Sequence, residues 1–273
     1  MASSQALFRR RRERSSLYVR ASVMALLMVC VLAGTASAES PYREPARLPS
    51  AAGTSGHLSG RADARSQAAV RGIKTVQKVI ALTFDDGPDP KYTPAVLELA
   101  REAKIKLTFF LVGEQIQLYP ELARREVAEG HAIGNHTWDH HVMTSLSQRQ
   151  DLSEIQRCED EIEQVCGQRT RLFRPPKGLF DDHTLSAAAA LGYRTVLWSV
   201  ALEHHHRNPQ QMAQRVIEMA RPGMIILAHD GEIGHPTDRS RTLQALAILV
   251  AGLQQKGYRF VTVPELLEAE TEK

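Results

Sequence analysis

Two adjacent carboxylates, Asp85 and Asp86, close the apolar run Val79 to Phe84 and are followed by Gly87-Pro88, which fixes the chain direction. Neighbouring side chains at a strand end point in different directions, so one carboxylate can bind a cation while the other stays free as a base. Alone, Asp-Asp-Gly-Pro reads equally well as a solvated turn. Farther along, His136 and His140 stand at i and i+4. That spacing places two imidazoles on one face of a helical turn and suits two ligands of a borderline metal. Histidines also fall near one another by chance, as His131 and His141 beside them illustrate. Added to one carboxylate of the first segment, the pair makes a His, His, Asp set with a position left for water. This is the donor set of a catalytic zinc site and not of a structural one.

Two further segments carry reactive side chains. Arg174 leaves an apolar stretch and enters Pro175-Pro176-Lys177-Gly178, a loop stiffened by two prolines. Its guanidinium suits paired hydrogen bonds to a carboxylate, and a fixed Lys177 N–H suits the developing oxyanion of a tetrahedral intermediate. The same segment standing alone reads as a rigid surface turn. His229 ends the apolar run Ile225 to Ala228 and is the side chain best poised to donate a proton near neutral pH, so it is the candidate general acid.

These residues need strands that end together. From Lys78 onward, β-branched and aromatic runs alternate with amphipathic stretches, giving about seven βα units. The predicted strands are Val79 to Phe84, Leu107 to Leu111, His131 to Asn135, Arg171 to Arg174, Arg194 to Ser199, Met224 to His229 and Tyr258 to Val261. Thr93-Pro94 and Asn208-Pro209 read as an N-cap followed by Pro at the first helical position, and Gly192 and Gly257 as C′ stops. Asp85-Asp86, Asn135-His136, Arg174 and His229-Asp230 then all fall at carboxyl ends of strands, the rim where parallel barrels assemble active sites.

The ordered motifs TFDDGP, HTWDH, RPPKG and the strand ending LAH resemble the NodB-like polysaccharide deacetylases, carbohydrate esterase family four, over Lys78 to Leu267. The resemblance implies a distorted (β/α)7, TIM-like barrel. It implies Asp85 as general base, Asp86, His136 and His140 as ligands of a divalent metal (zinc foremost), and His229 as acid. It also implies that Arg174 tethers the base and that the Lys177 backbone supplies part of the oxyanion hole. Two positions depart from the family pattern. Lys177 stands where an aromatic is usual, a weak pointer to the muramic-acid type of peptidoglycan deacetylase. His204-His205 replaces the Asp-Trp pair whose Asp tunes the acid, which leaves Glu203 as a substitute. The run His204-His205-His206 reads first as an exposed loop and second as a further metal contact. Asp230-Gly231 and Asp238 to Thr242 resemble the region after the acid in chitooligosaccharide-type members and are read as a polar loop without catalytic role.

At 273 residues the chain can bury a full core, and 43% hydrophobic with 24% charged residues is ordinary for a globular protein. The first 38 residues differ. Six arginines precede an apolar run from Ala21 to Ala33, and Ala36-Ser37-Ala38 supplies a small-residue cleavage pattern before Glu39, so residues 1–38 read as a secretory signal. A retained anchor is the alternative, though about a dozen apolar residues is short for a bilayer. Exported to a periplasm or beyond, the protein then has no stable membrane insertion. The leader carries six Arg and one Glu against a whole-chain charge of +3, so the remainder is slightly acidic. Binding of nucleic acid is not supported. Residues 39–75, rich in Pro, Ser, Gly, Ala and Arg, read as a flexible linker, and residues 76–273 as the catalytic domain. Cys158 and Cys166 fall on or near one helix, about 12 Å apart if it is intact, and are expected as free thiols.

The expected partner is an N-acetylated glycan of peptidoglycan or chitin type, and the expected reaction is hydrolysis of its acetamide. An acetylxylan esterase on the same scaffold and a glycan-binding pseudoenzyme, the latter suggested by the altered fourth motif, are the competing readings.

Overall fold

The computed structural model describes residues 69–203, 208–231, 233–234 and 237–270. The segment read as a secretory signal, most of the stretch read as linker, and His204 and His205 lie outside them. Eight strands form one parallel sheet: β1 (Val79–Asp85), β2 (Thr108–Leu111), β3 (Ala132–Asn135), β4 (Leu172–Phe173), β5 (Arg194–Thr195), β6 (Val200–Ala201), β7 (Ile225–His229) and β8 (Arg259–Phe260). Their spatial order is β5-β4-β3-β2-β1-β7-β6, with β8 on the first residues of β1, and every pairing is parallel. The helices are α1 (Thr93–Ala103), α2 (Gly113–Leu118), α3 (Pro120–Ala128), α4 (Gln148–Cys166), α5 (Asp182–Ala190), α6 (Pro209–Met219), α7 (Ser240–Gln255) and α8 (Val263–Glu268). Each strand, or the β5–β6 pair, is followed by helix, which makes the seven units of a distorted (β/α)7 barrel. Of the predicted fifth strand, Arg194 to Ser199, only Arg194–Thr195 is strand, as β5, and β6 begins just past its end at Val200.

All seven residues of β1 are buried, as a strand covered on both faces requires. Period two sorts them. Ile80, Leu82 and Phe84 pack with Val96 and Leu97 of α1 and with Leu246 and Leu249 of α7. Val79 and Ala81 face the barrel interior with Phe110, Leu172, Val196 and Ile225. The same parity runs on to the rim, where Asp85 follows Ala81, Arg174 follows Leu172 and His229 follows Ile225 on the inward face. Gly134 completes the set in β3: a Cβ there would lie 2.5 Å from the inward ring of Phe110, and His136 comes two residues later.

Among the described residues β5 and β6 are not paired, and the sheet has a seam between them. The end of the segment read as linker lies along it. Val70 bridges Val196, donating to Thr195 O at 2.9 Å and accepting from Leu197 N–H at 2.6 Å. Ile73 N–H donates to Gly223 O at 2.9 Å, and both Val70 and Ile73 are buried. The domain therefore begins before residue 76. Two apolar side chains in an otherwise polar stretch suffice to dock it.

Asn208 caps α6 as predicted, accepting from Gln210 N–H at 2.8 Å. Thr93 does not cap α1. Tyr92 is the N-cap, and the Thr93 hydroxyl is turned to the Asp89 N–H and the Asp230 carboxylate. Gly192 and Gly257 have left-handed φ values of 78° and 80° just past α5 and α7, as C′ residues do. Cys158 and Cys166 are free thiols on α4, the first buried and the second half-buried.

Candidate active site

The first motif separates its two carboxylates by backbone conformation. Asp85 ends β1 in register with His229 of β7, and Asp86 has a φ of 73°, which swings its side chain away from the strand direction. Gly231 packs against this turn, where a Cβ would lie only 2.0 Å from the Asp86 carbonyl oxygen.

Asp85 is held by Arg174, whose guanidinium lies 2.6 Å from Asp85 Oδ1 and is fully buried. The same guanidinium donates to Thr83 Oγ1 at 2.9 Å, Val196 O at 3.1 Å and Leu197 O at 3.1 Å. Its Cζ stands 3.9 Å from the centroid of the Phe110 ring. Burial lowers the Arg174 pKa, opposed by the Asp85 carboxylate, but an arginine stays charged. Each of its three nitrogens is therefore aimed, and Asp85 Oδ2 remains outside this grip.

His136 and His140 converge, with ring centroids 5.0 Å apart. They do so without the predicted helical turn: β3 ends at Asn135, no helix follows until Met143, and Thr137 and His140 have left-handed φ values of 70° and 63°. For non-glycine residues that conformation costs on the order of 1 kcal/mol each. Side-chain bonds pin the loop. Thr137 N–H donates to Asn135 Oδ1 at 3.0 Å, His140 N–H to Thr137 Oγ1 at 3.1 Å, and the N–H groups of Trp138 and Asp139 to Glu154 Oε2 of α4 at 3.2 and 3.3 Å.

The donor set fits a cation. His136 Nδ1 is 2.6 Å from the carbonyl oxygen of Arg174, which can only accept, so the proton sits on Nδ1 and Nε2 presents a lone pair. That lone pair is 3.7 Å from Asp86 Oδ1 and 3.7 Å from Asp85 Oδ2. His140 Nε2 is 3.3 Å from Asp86 Oδ1. Burial, with His136 nearby, lowers the His140 pKa to about 4, so this imidazole is neutral and free to ligate. One ligand atom each from Asp86, His136 and His140 lie mutually within 4.8 Å, the one such group of three among the described residues. Two imidazoles and one carboxylate converging so closely could hold a divalent metal.

On the opposite side, His229 Nδ1 is 3.4 Å from Glu203 Oε1, an ion-pair distance without hydrogen-bond geometry. Glu203 Oε1 accepts instead from His229 N–H at 3.0 Å and from the Thr242 hydroxyl at 3.3 Å. Burial alone would depress the His229 pKa. The Glu203 carboxylate, with Asp86 and Asp85 behind it, overcomes that and holds it raised. Glu203 thus occupies the acid's partner position that the sequence left open. Lys177 adopts a left-handed conformation, φ 59° and ψ 8°, in the turn Pro176–Gly178.

Sequence reasoning passed over Arg239, in the loop read as having no role. Its Nη2 is 3.7 Å from Asp86 Oδ2, and its Nε donates to Gly231 O at 3.1 Å. Asp86 consequently turns Oδ1 to the imidazoles and Oδ2 to a guanidinium. No local pattern marks Arg239, because the approach is made by the fold between segments far apart in sequence.

A parallel α/β barrel with a clamped carboxylate, a carboxylate-paired histidine and a cluster of three ligand-type residues on one rim defines the class. The chain belongs to the polysaccharide deacetylases, the NodB-like carbohydrate esterase family four, whose family model matches residues 72–196. It is 41% identical over 199 residues to a peptidoglycan-N-acetylglucosamine deacetylase of Bacillus cereus, covering 70% of this chain and 89% of the relative. Among solved structures, a peptidoglycan N-acetylglucosamine deacetylase in complex with a 4-naphthalen-1-yl N-hydroxybenzamide superposes with a TM-score of 0.69 at 30% identity, over 75% of this chain and 94% of the other. A family-four pseudoenzyme from Bacillus anthracis gives a TM-score of 0.69 at 28% identity, over 76% and 71%.

Proposed function

We propose that the protein is an exported, zinc-dependent hydrolase that removes acetyl groups from N-acetylglucosamine-containing glycan, with peptidoglycan as first substrate. The observation that carries this reading is a ligand-type carboxylate, Asp86, facing two imidazoles, His136 and His140, while a second carboxylate, Asp85, is clamped beside them. When bound by Asp86, His136 and His140, a divalent cation supplies Lewis acidity, which polarises an acetamide carbonyl and acidifies water. Asp85 Oδ2 takes the proton of the attacking water, and Arg174 keeps Oδ1 occupied so that this oxygen is the one available. The Lys177 N–H, fixed between the prolines and Gly178, meets the oxyanion of the tetrahedral intermediate. His229, protonated and held by Glu203, delivers a proton to the departing amine nitrogen as the C–N bond breaks. Acetate and a free amine result.

The kinship with peptidoglycan deacetylases supports the substrate class, and the arginine-rich leader with its small-residue cleavage pattern supports export. Zinc-loaded protein is to be incubated with peptidoglycan, chitooligosaccharide and acetylated xylan, with acetate and free amine measured. Amine release, abolished by Asp85→Asn with metal still bound and by His136→Ala with metal lost, is the expected result. Near-normal turnover in Asp85→Asn defeats the base assignment. Acetate without amine, from xylan only, identifies an esterase, and no release from any substrate identifies a pseudoenzyme.

A further inference from the structure

The opposite end of the barrel carries a second arrangement of aimed donors. A cavity of about 490 Å³ lies at the amino ends of β2 and β3, lined by Ala100, Arg101, Lys104 and Ile105 from the end of α1, by Lys106, and by Glu129 and His131 after α3. His131 is 6% exposed. Its Nδ1 accepts the Leu107 N–H at 3.1 Å, so the neutral ring must carry its proton on Nε2. Burial, and the Lys106 charge beside it, lower the His131 pKa to about 4, which keeps the ring neutral in ordinary buffers. Nε2 has no hydrogen-bond partner among the described residues, and it is not one of the sealed buried atoms, so its N–H is open to the cavity.

Helix C-termini usually gather lysines to satisfy their last carbonyl groups, and that role must be subtracted first. Here the carbonyls are largely provided for. Ala100 O accepts from Ile105 N–H, Arg101 O from Lys104 N–H, Arg125 O from Glu129 N–H, Glu126 O from His131 N–H and Val127 O from Gly130 N–H. Glu129 O accepts from Lys106 Nζ, which retains two further protons. The Lys104 ammonium has no partner among the described residues. The neighbouring carboxylates are engaged, Glu98 with Arg101 and Glu129 with Arg125. What faces the cavity is a surplus of donors: Nε2–H of His131 and the ammonium groups of Lys104 and Lys106.

We propose that this cavity binds a phosphate-type oxyanion, through His131 Nε2–H, Lys104 and Lys106. Its volume exceeds that of inorganic phosphate, so the phosphoryl group can arrive free or on a larger polymer. The site stands at the strand ends remote from the reacting rim, and the inference does not depend on the proposed reaction.

The test titrates the zinc-loaded full chain with orthophosphate, and separately with poly(glycerol phosphate), while following the side-chain ¹H and ¹⁵N signals of His131. Sodium chloride at matched ionic strength is the control. A saturable shift of His131 is expected, weakened about tenfold or more in Lys104→Gln/Lys106→Gln. Unchanged thermal unfolding of that double variant shows that it is folded. Response to orthophosphate alone assigns a free ion, and tighter binding of the polymer assigns a polymer; both uphold the site. A His131 signal that stays still, that moves equally with chloride, or that responds to phosphate undiminished in the double variant overturns it.

Discussion

Arg174 and Asp85 form a buried ion pair at 2.6 Å that joins β4 to β1 across the barrel interior. The guanidinium also bonds the carbonyl groups of Val196 and Leu197, so one side chain ties Asp85 to the segment between β5 and β6. Arg174→Met leaves the Asp85 charge buried without its partner. A stability loss of roughly 3–5 kcal/mol in urea unfolding is expected. Arg174→Lys, which cannot reach all four acceptors, should fold but lose about 10²–10⁴-fold in turnover. Unimpaired kcat in the lysine variant would show that Asp85 needs no clamp.

The Glu203–His229 pair fixes the sign of a pH effect. As the proposed acid, His229 can serve only while protonated, so activity is expected to fall as pH rises through its pKa, which Glu203 holds raised. In Glu203→Gln the anion is gone, burial prevails and that pKa drops. The alkaline limb of the kcat profile should move to lower pH, with a larger loss at alkaline than at acidic pH. A uniform loss across the whole profile would mean that Glu203 acts only on folding.

Gly231 permits the turn that presents Asp86. Because a Cβ would stand 2.0 Å from a backbone oxygen, Gly231→Ala must displace that turn or its own strand end. Zinc affinity, measured by chelator competition, should weaken about 10–100-fold while the circular dichroism spectrum is kept. Wild-type affinity would show that the ligand turn yields without cost.

Asp151 offers a stability test remote from the rim. It is fully buried in the first turn of α4, neither carboxylate oxygen has a hydrogen-bond partner, and burial with the Asp181 charge raises its pKa to about 6. A carboxyl whose folded pKa exceeds its unfolded value stabilises the fold at low pH, and that contribution is lost as pH rises through the folded pKa. Asp151→Asn should therefore raise stability above that pKa by on the order of 1–3 kcal/mol, read as a higher Tm, and leave Tm unchanged in acid. An equal gain at all pH values would point to packing instead.

The rim was readable from sequence because each reactive residue ends an apolar run, and period two then fixes which side it faces. Asp85, Arg174 and His229 all inherit their inward direction from the buried residues before them. What escaped has a common cause: it depends on contacts made in three dimensions. HTWDH suggested a helical turn by its spacing, yet its histidines meet through two left-handed residues in a loop pinned by Asn135 and Glu154. β5 and β6 are two residues each, too short for any period to register. Arg239 lies in a polar loop whose approach to Asp86 only the folded chain creates.

The strap Val70 to Ile73 sets where this domain can be cut. A protein begun at residue 76 keeps every reactive side chain but strips the cover from Val196 and the partners from Thr195 O, Leu197 N–H and Gly223 O. Such a truncation would leave an uncapped sheet edge inviting association between molecules, whereas one begun a few residues ahead of Val70 would not.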